Sequence, residues 1–163
     1  MLTTLFEGAP RFVDRLVEFD PPPDSWDDLF DQAEWTALTM PEDEQIELLD
    51  AHPRIGAAPG SVSTLSYREQ GYDQDAGTAQ LQARLDELND AYERGFGFRF
   101  VVFVNGRSRA EIADLMESYL HADRVAEKGR GLRDVIAIAR ARLAKLPSPS
   151  AQSADRLPRL LDR

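Results

Sequence analysis

Residues 98–106 read FRFVVFVNG. Aromatic and β-branched residues fill the run and Asn105-Gly106 closes it, so on periodicity alone it reads as a β-strand. Everything on either side reads as helix. A lone strand has no neighbour to satisfy its N–H and C=O groups. The stretch is therefore expected to be a short buried extended segment inside an all-α, single-domain helical bundle.

Working outward, the clearest helix lies just upstream, from Thr78. Leu81, Leu85, Leu88 and Tyr92 fall on one stripe, and Gly95 and Gly97 end it. Tyr92 and the Phe96–Phe98 run are expected in the core. Downstream, Ser108 with Glu111 forms a capping-box pattern ahead of Ile112, Leu115, Met116 and Tyr119. A last helix over about 132–146 buries Val135, Ile136, Ile138, Ala139 and Leu143. Residues 1–146 form the expected helical domain. Residues 147–163, low in complexity, form an expected flexible tail on which Leu157, Leu160 and Leu161 could dock.

The N-terminal third is punctuated by prolines. A helix over 10–19 carries Phe12, Val13, Leu16 and Val17 on one side, and DPPPD at 20–24 stops it. Ser25 and Asp28 precede a helix holding Trp26, Leu29, Phe30 and Ala33. Thr39, spaced three from Glu42 and with Pro41 in the first turn, opens a helix with Ile46 and Leu49 that ends at His52-Pro53. Residues 53–65 read as loop, marked by Pro53, Gly56, Pro59 and Gly60.

The 163 residues are 42% apolar and 29% charged, a globular composition. No apolar run approaches the ~18–20 residues that cross a bilayer, and the first residues lack the basic and apolar regions of a secretory signal. Cysteine is absent, which removes disulfide and thiolate chemistry and fits a cytoplasmic protein. The net charge of −10 is uneven: residues 1–50 hold fourteen acids and two arginines, and the remainder sums to +2. No basic face stands out, so nucleic acid and membrane are not expected partners. The arginine-rich remainder suits a small anion better.

Inventory narrows the chemistry. The two histidines, His52 and His121, stand 69 residues apart without cysteine, so no metal-ligand spacing appears and no metal is expected. There is no G-x-G-x-x-G or Walker loop, and nothing around Ser61, Ser63 and Ser66 resembles a nucleophile elbow. General acid–base chemistry remains, for which histidine is the usual residue. His121, after a helix end, reads as surface. His52 has two readings: a helix C-cap favoured by the dipole, or the acid–base group.

AHPRIG (51–56), LSYREQ (65–70), LNDAYERGFGFRFVVFVNGRSRAEI (88–112) and IARARL (138–143), in this order and spacing, resemble the decarboxylase family that acts on 2-oxo-4-hydroxy-4-carboxy-5-ureidoimidazoline (OHCU) in uric acid breakdown. The similarity runs from Pro41 to Leu143 and is loose before it. Two positions depart from the family's common pattern. Arg54-Ile55 stands where Asp-Leu is frequent, as in a bacterial subgroup, and Arg99 stands where Phe-Gly-Phe-Pro-Phe has its proline.

The resemblance implies a cofactor-free carboxy-lyase that forms (S)-allantoin, because the substrate's own ring can hold the electrons left by CO2 as an enolate-like intermediate. It implies His52 and Glu69 as catalytic residues. His52 would polarise the substrate and hand over a proton, and Glu69 would orient the hydroxyl or hold the histidine. Pro53, Ser66, Gln70, Arg142 and the main chain of Phe100, Val101, Val102, Phe103 and Val104 would bind substrate. Arg142 would pair its donor fork with a carboxylate or ureido carbonyl, with Arg140 the alternative in the same RARL register. A homodimer and a functional partnership with hydroxyisourate hydrolase are further implications. On the residues themselves, two rivals stay open: a cofactor-free lyase or hydrolase on a related ureide, and a non-catalytic helical interaction module docking through its acidic N-terminal face. Ser66-x-x-Glu69 is also a capping box, and Gln70 taken alone reads as solvated.

Overall fold

The elements follow from where apolar stripes begin and what stops them. In the computed structural model, which describes residues 1–57 and 79–146, seven helices account for the regular structure and no strand occurs among the described residues. They are α1 (Leu2–Leu5), α2 (Pro10–Val17), α3 (Trp26–Thr39), α4 (Glu42–Asp50), α5 (Ala79–Phe96), α6 (Arg109–Tyr119) and α7 (Arg124–Lys145). None of these helices is long and apolar enough to cross a membrane. Residues 58–78 and 147–163, and with them the expectations for the tail, lie outside the described residues.

Local signals set most boundaries. Pro10 starts α2 at a position where its missing N–H costs nothing. Ser25 caps α3 by accepting the Asp28 N–H at 3.1 Å. Ser108 and Glu111 close the full reciprocal capping box ahead of α6, with the Ser108 N–H donating to Glu111 Oε2 at 2.8 Å.

Two expectations are corrected and one element is added. The short α1 was not anticipated, since LTTL is a single turn. Thr39 caps nothing: it ends α3, where its hydroxyl donates back to the Trp35 carbonyl at 2.8 Å, and Pro41 takes the N-cap position of α4. The last helix starts at Arg124 instead of about 132. Asp123 caps it by accepting the Ala126 N–H at 2.9 Å. The charged, glycine-bearing RVAEKGRG hides those first two turns from any apolar periodicity.

α7 is the spine of the bundle, packing on α1, α3 and α4, while α5 pairs with α6 and α2 with α3 and α4. Its buried stripe runs Glu127, Gly131, Leu132, Val135, Ile136, Ile138, Ala139 and Arg142. Gly131 lets α4 come close, for a methyl built there would stand 3.1 Å from Leu49 Cδ2. The stripe opens on a carboxylate and closes on a guanidinium, fifteen positions or roughly 22 Å apart along the helix. Each charged end organises its own centre.

Residues 98–104 run without helix or sheet and are buried apart from the half-buried Arg99 and Phe103, as the aromatic and β-branched run implied. Side chains replace the missing strand partners. Arg130 Nη1 donates to the Val101 carbonyl at 3.0 Å, the Phe103 backbone bonds the Asp134 carboxylate, and Arg99 N–H donates to Asp50 Oδ1 at 2.9 Å. Arg130 lies over the adjoining rings of Phe100 and Tyr119, at 5.0 and 4.6 Å from their centroids. It bonds Glu127, which also accepts the Tyr92 hydroxyl at 2.6 Å. Burial first, then the Glu127 carboxylate, raises the Tyr92 phenol above its ordinary range. Tyr92, Phe96 and Phe98 form one ring cluster in the core, as expected.

Candidate active site

A helix of nine residues leaves its last carbonyls without intrahelical donors. α4 ends at Asp50, and the turn that follows answers most of them. Ala51 N–H donates to Glu47 O at 2.9 Å and His52 N–H to Leu49 O at 3.1 Å. His52 Nδ1 stands 3.2 Å from Leu48 O. A carbonyl only accepts, so Nδ1 carries the ring proton and the neutral imidazole holds its lone pair on Nε2. His52, one residue past the Ala51 C-cap, thus caps the Leu48 carbonyl with its side chain, and this leaves the second ring nitrogen for chemistry. The two readings of this residue are compatible.

The ring is buried, with 9% of the residue exposed. Desolvation first, and then the Arg142 charge, push His52 down to about 4, against a smaller upward pull from the Leu48 carbonyl. At neutral pH it is an uncharged base.

Arg142 arrives from the far end of α7. It is 3% exposed and donates from Nη1 to the Leu5 carbonyl at 3.1 Å. Arg140, two residues earlier, points away: it bonds Asp27 and Asp31 at 2.8 and 2.9 Å and lies over the Phe30 ring. Of the two arginines in the RARL register, Arg142 is the one whose charge reaches the His52 ring. His121 is exposed, as expected.

The loop after His52 is laid along α5 and fixed residue by residue. Arg54 reaches Glu93 through Nε at 2.8 Å and Asp90 through Nη1 at 2.9 Å. Asn89 Nδ2 donates to the Ile55 carbonyl at 2.8 Å, and Gln82 Nε2 to the Gly56 carbonyl at 2.9 Å. Gly56 has φ +83, and a methyl there would meet Leu85, Gln82 and Arg109 at 3.1–3.3 Å. Only glycine fits such a left-handed, crowded position. Pro53 is half-buried at the head of this loop. Asn89 was missed as a site-building residue, although a polar side chain one turn after Leu85, on a core stripe, signalled it.

Of the residues expected in the site, the structure brings together His52 and Arg142, with Pro53 next to His52 in sequence. Phe100, Val101, Val102 and Val104 are buried and Phe103 is half-buried. Ser66, Glu69 and Gln70 lie outside the described residues. Among the described residues no three metal-ligating side chains gather.

The sequence profile of the OHCU decarboxylase family matches residues 1–144. The uric acid degradation bifunctional protein PucL of Bacillus subtilis is 30% identical over 149 residues, covering 89% of this chain and 29% of its own length. The 2-oxo-4-hydroxy-4-carboxy-5-ureidoimidazoline decarboxylase of Halalkalicoccus jeotgali is 31% identical, covering 89% of this chain and 82% of its own. The chain therefore spans 29% of the bifunctional relative's length but most of the decarboxylase's. A crystal structure of OHCU decarboxylase in the presence of (S)-allantoin superposes with a TM-score of 0.68 at 21% identity, covering 88% of this chain and 94% of that one. At that identity the match speaks for the fold.

Proposed function

The chain belongs to the OHCU decarboxylase family, and on that premise we propose that it converts OHCU to (S)-allantoin and CO2. The observation that carries the reading is the pairing of a buried neutral His52, its Nε2 lone pair unused by the cap, with a buried Arg142.

Breaking the bond to the carboxylate leaves an electron pair that the substrate ring takes up as an enol. The hydroxyl-bearing carbon becomes a carbonyl, the adjacent ring carbon gains a proton on one face, and one proton from solvent completes the balance. His52 Nε2 takes the hydroxyl proton and returns it to carbon. The lowered basicity of the buried imidazole favours its giving the proton to carbon, and it can take the hydroxyl proton once loss of CO2 has made that hydroxyl an acidic enol. Arg142 holds the anionic substrate by its fork of donors.

Glu69 orients the hydroxyl or supports the imidazole, while Ser66, Gln70 and Pro53 line the ring. Val101 O and the Phe103 backbone are engaged by α7. In an extended run alternate residues turn their groups to opposite edges, so Phe100, Val102 and Val104 supply the main-chain contacts to the ring. The relatives named as bifunctional proteins of uric acid degradation support a link to a second step of that degradation; a functional partnership with hydroxyisourate hydrolase, which would supply OHCU, belongs to the same proposal. A homodimer in the cytoplasm completes the proposal, the latter in keeping with the lack of cysteine.

The test is stereochemical. OHCU is generated from urate with urate oxidase and hydroxyisourate hydrolase, and the optical activity of the allantoin formed is followed. Rapid appearance of the S enantiomer on adding this protein is expected. Racemic allantoin at the uncatalysed rate would sink the reading.

A further inference from the structure

Arg99 spans a sequence distance of 47 to 49 residues to reach the end of α4. Its Nη1 donates to the Asp50 carbonyl at 2.7 Å and to the His52 carbonyl at 3.0 Å. Its own backbone N–H donates to Asp50 Oδ1 at 2.9 Å. Residue 99 thus makes three hydrogen bonds to residues 50 and 52, and two of them need a long cationic donor.

Position matters here more than charge. The Leu48 carbonyl fixes the His52 ring and the His52 N–H is tied to Leu49. The carbonyl of the same residue would otherwise face outward from the helix end. Arg99 holds it, so the His52 backbone is tied at both its N–H and its C=O, and the ring is aimed at the Leu48 carbonyl from an anchored Cα. The guanidinium sits at the carbonyl rather than at the ring, and the charge felt by the imidazole is that of Arg142. A cation at a helix C-terminus also complements the dipole. Through the same residue the extended segment 98–104 is docked to the helix that carries His52.

We infer that Arg99 is a positioning residue that holds His52 in one orientation, by joining the start of the extended segment to the last turn of α4. The inference rests on the reading of His52 as the proton-transfer group.

The test uses the full chain and the variant Arg99→Met, which keeps the apolar stem. With only two histidines, long-range 15N–1H spectra report the His52 tautomer directly once His52→Asn has assigned its signals. In Arg99→Met we expect the single Nδ1–H tautomer to give way to a mixture. On OHCU we expect kcat to fall at least tenfold with KM within twofold, and Arg99→Lys to restore part of both readouts. Wild-type kcat together with unchanged His52 signals would overturn the inference, while loss of turnover in His52→Asn would leave the function standing. Conversely, a wild-type protein inert on OHCU would remove the function, and the tautomer spectra would still decide the role of Arg99. If Arg99→Met does not fold, Arg99→Gln, whose side chain is shorter by two bonds, is read by the same criteria.

Discussion

The Nδ1 of His52 lies 3.2 Å from the carbonyl of Leu48, and this one contact makes a helix cap and selects a tautomer. Replacing the ring by an amide should separate the two effects. His52→Asn retains a donor for the cap, so its stability in urea should lie within about 1 kcal/mol of wild type. Turnover should fall on the order of 10²–10⁴-fold. A variant that is strongly destabilised, yet turns over normally per folded molecule, would leave His52 with the cap alone.

The same burial makes stability depend on pH. The folded protein holds His52 down to about 4, while the unfolded chain returns it to 6.5. Between these values the unfolded state binds the extra proton, so stability rises with pH and is lost as pH falls. Relative to His52→Asn, wild type should lose up to about 3 kcal/mol between pH 7 and pH 4. Urea titrations of both proteins at the two pH values measure the difference.

Arg142 and Arg140 should behave as opposites. Arg142→Lys loses the fork beside His52 and should reduce kcat/KM at least tenfold. Arg140→Ala removes a partly exposed pair with Asp27 and Asp31, costing less than about 1 kcal/mol with unchanged turnover. Steady-state kinetics on both variants distinguish them.

Gly56, in the loop after His52, is tested against Gly97, which follows α5. Gly56 and Gly97 share a positive φ, +83 and +79, but only Gly56 is crowded. Gly97→Ala should cost the backbone strain, about 1–3 kcal/mol. Gly56→Ala should cost more and also lower turnover, because the displaced loop carries His52 at its head. Equal destabilisation of the two would show that the crowding is absorbed by the Gln82 and Arg109 side chains.

Much of this was legible in the chain. The Leu81–Tyr92 stripe, the Ser108 capping box and the proline stops each name an element through a local rule, and those elements form as read. The extended segment was legible as an anomaly: its composition asked for a strand and its surroundings denied it one. Its solution was not legible, because Arg130, Asp134 and Asp50 come from distant positions, and charged residues carry no periodicity that marks them as buried. Glu127 and Arg130 were hidden for the same reason, and with them the start of α7. In the site, a lone histidine next to proline could be singled out, but its tautomer needed the Leu48 carbonyl in three dimensions. Arg99 looked like a departure at a position where proline is frequent; its donors make sense only beside the end of α4.

The bond from Arg142 to Leu5 joins residues 137 positions apart. The centre at His52 therefore closes only when the two extremes of the helical core have met, a contact of high loop-closure entropy. Early, local folding can build α5 with α6 and still leave this centre open. In refolding, turnover of OHCU is expected to return no earlier than this contact between the first and last helices forms, which parallel traces of activity and helix signal would measure.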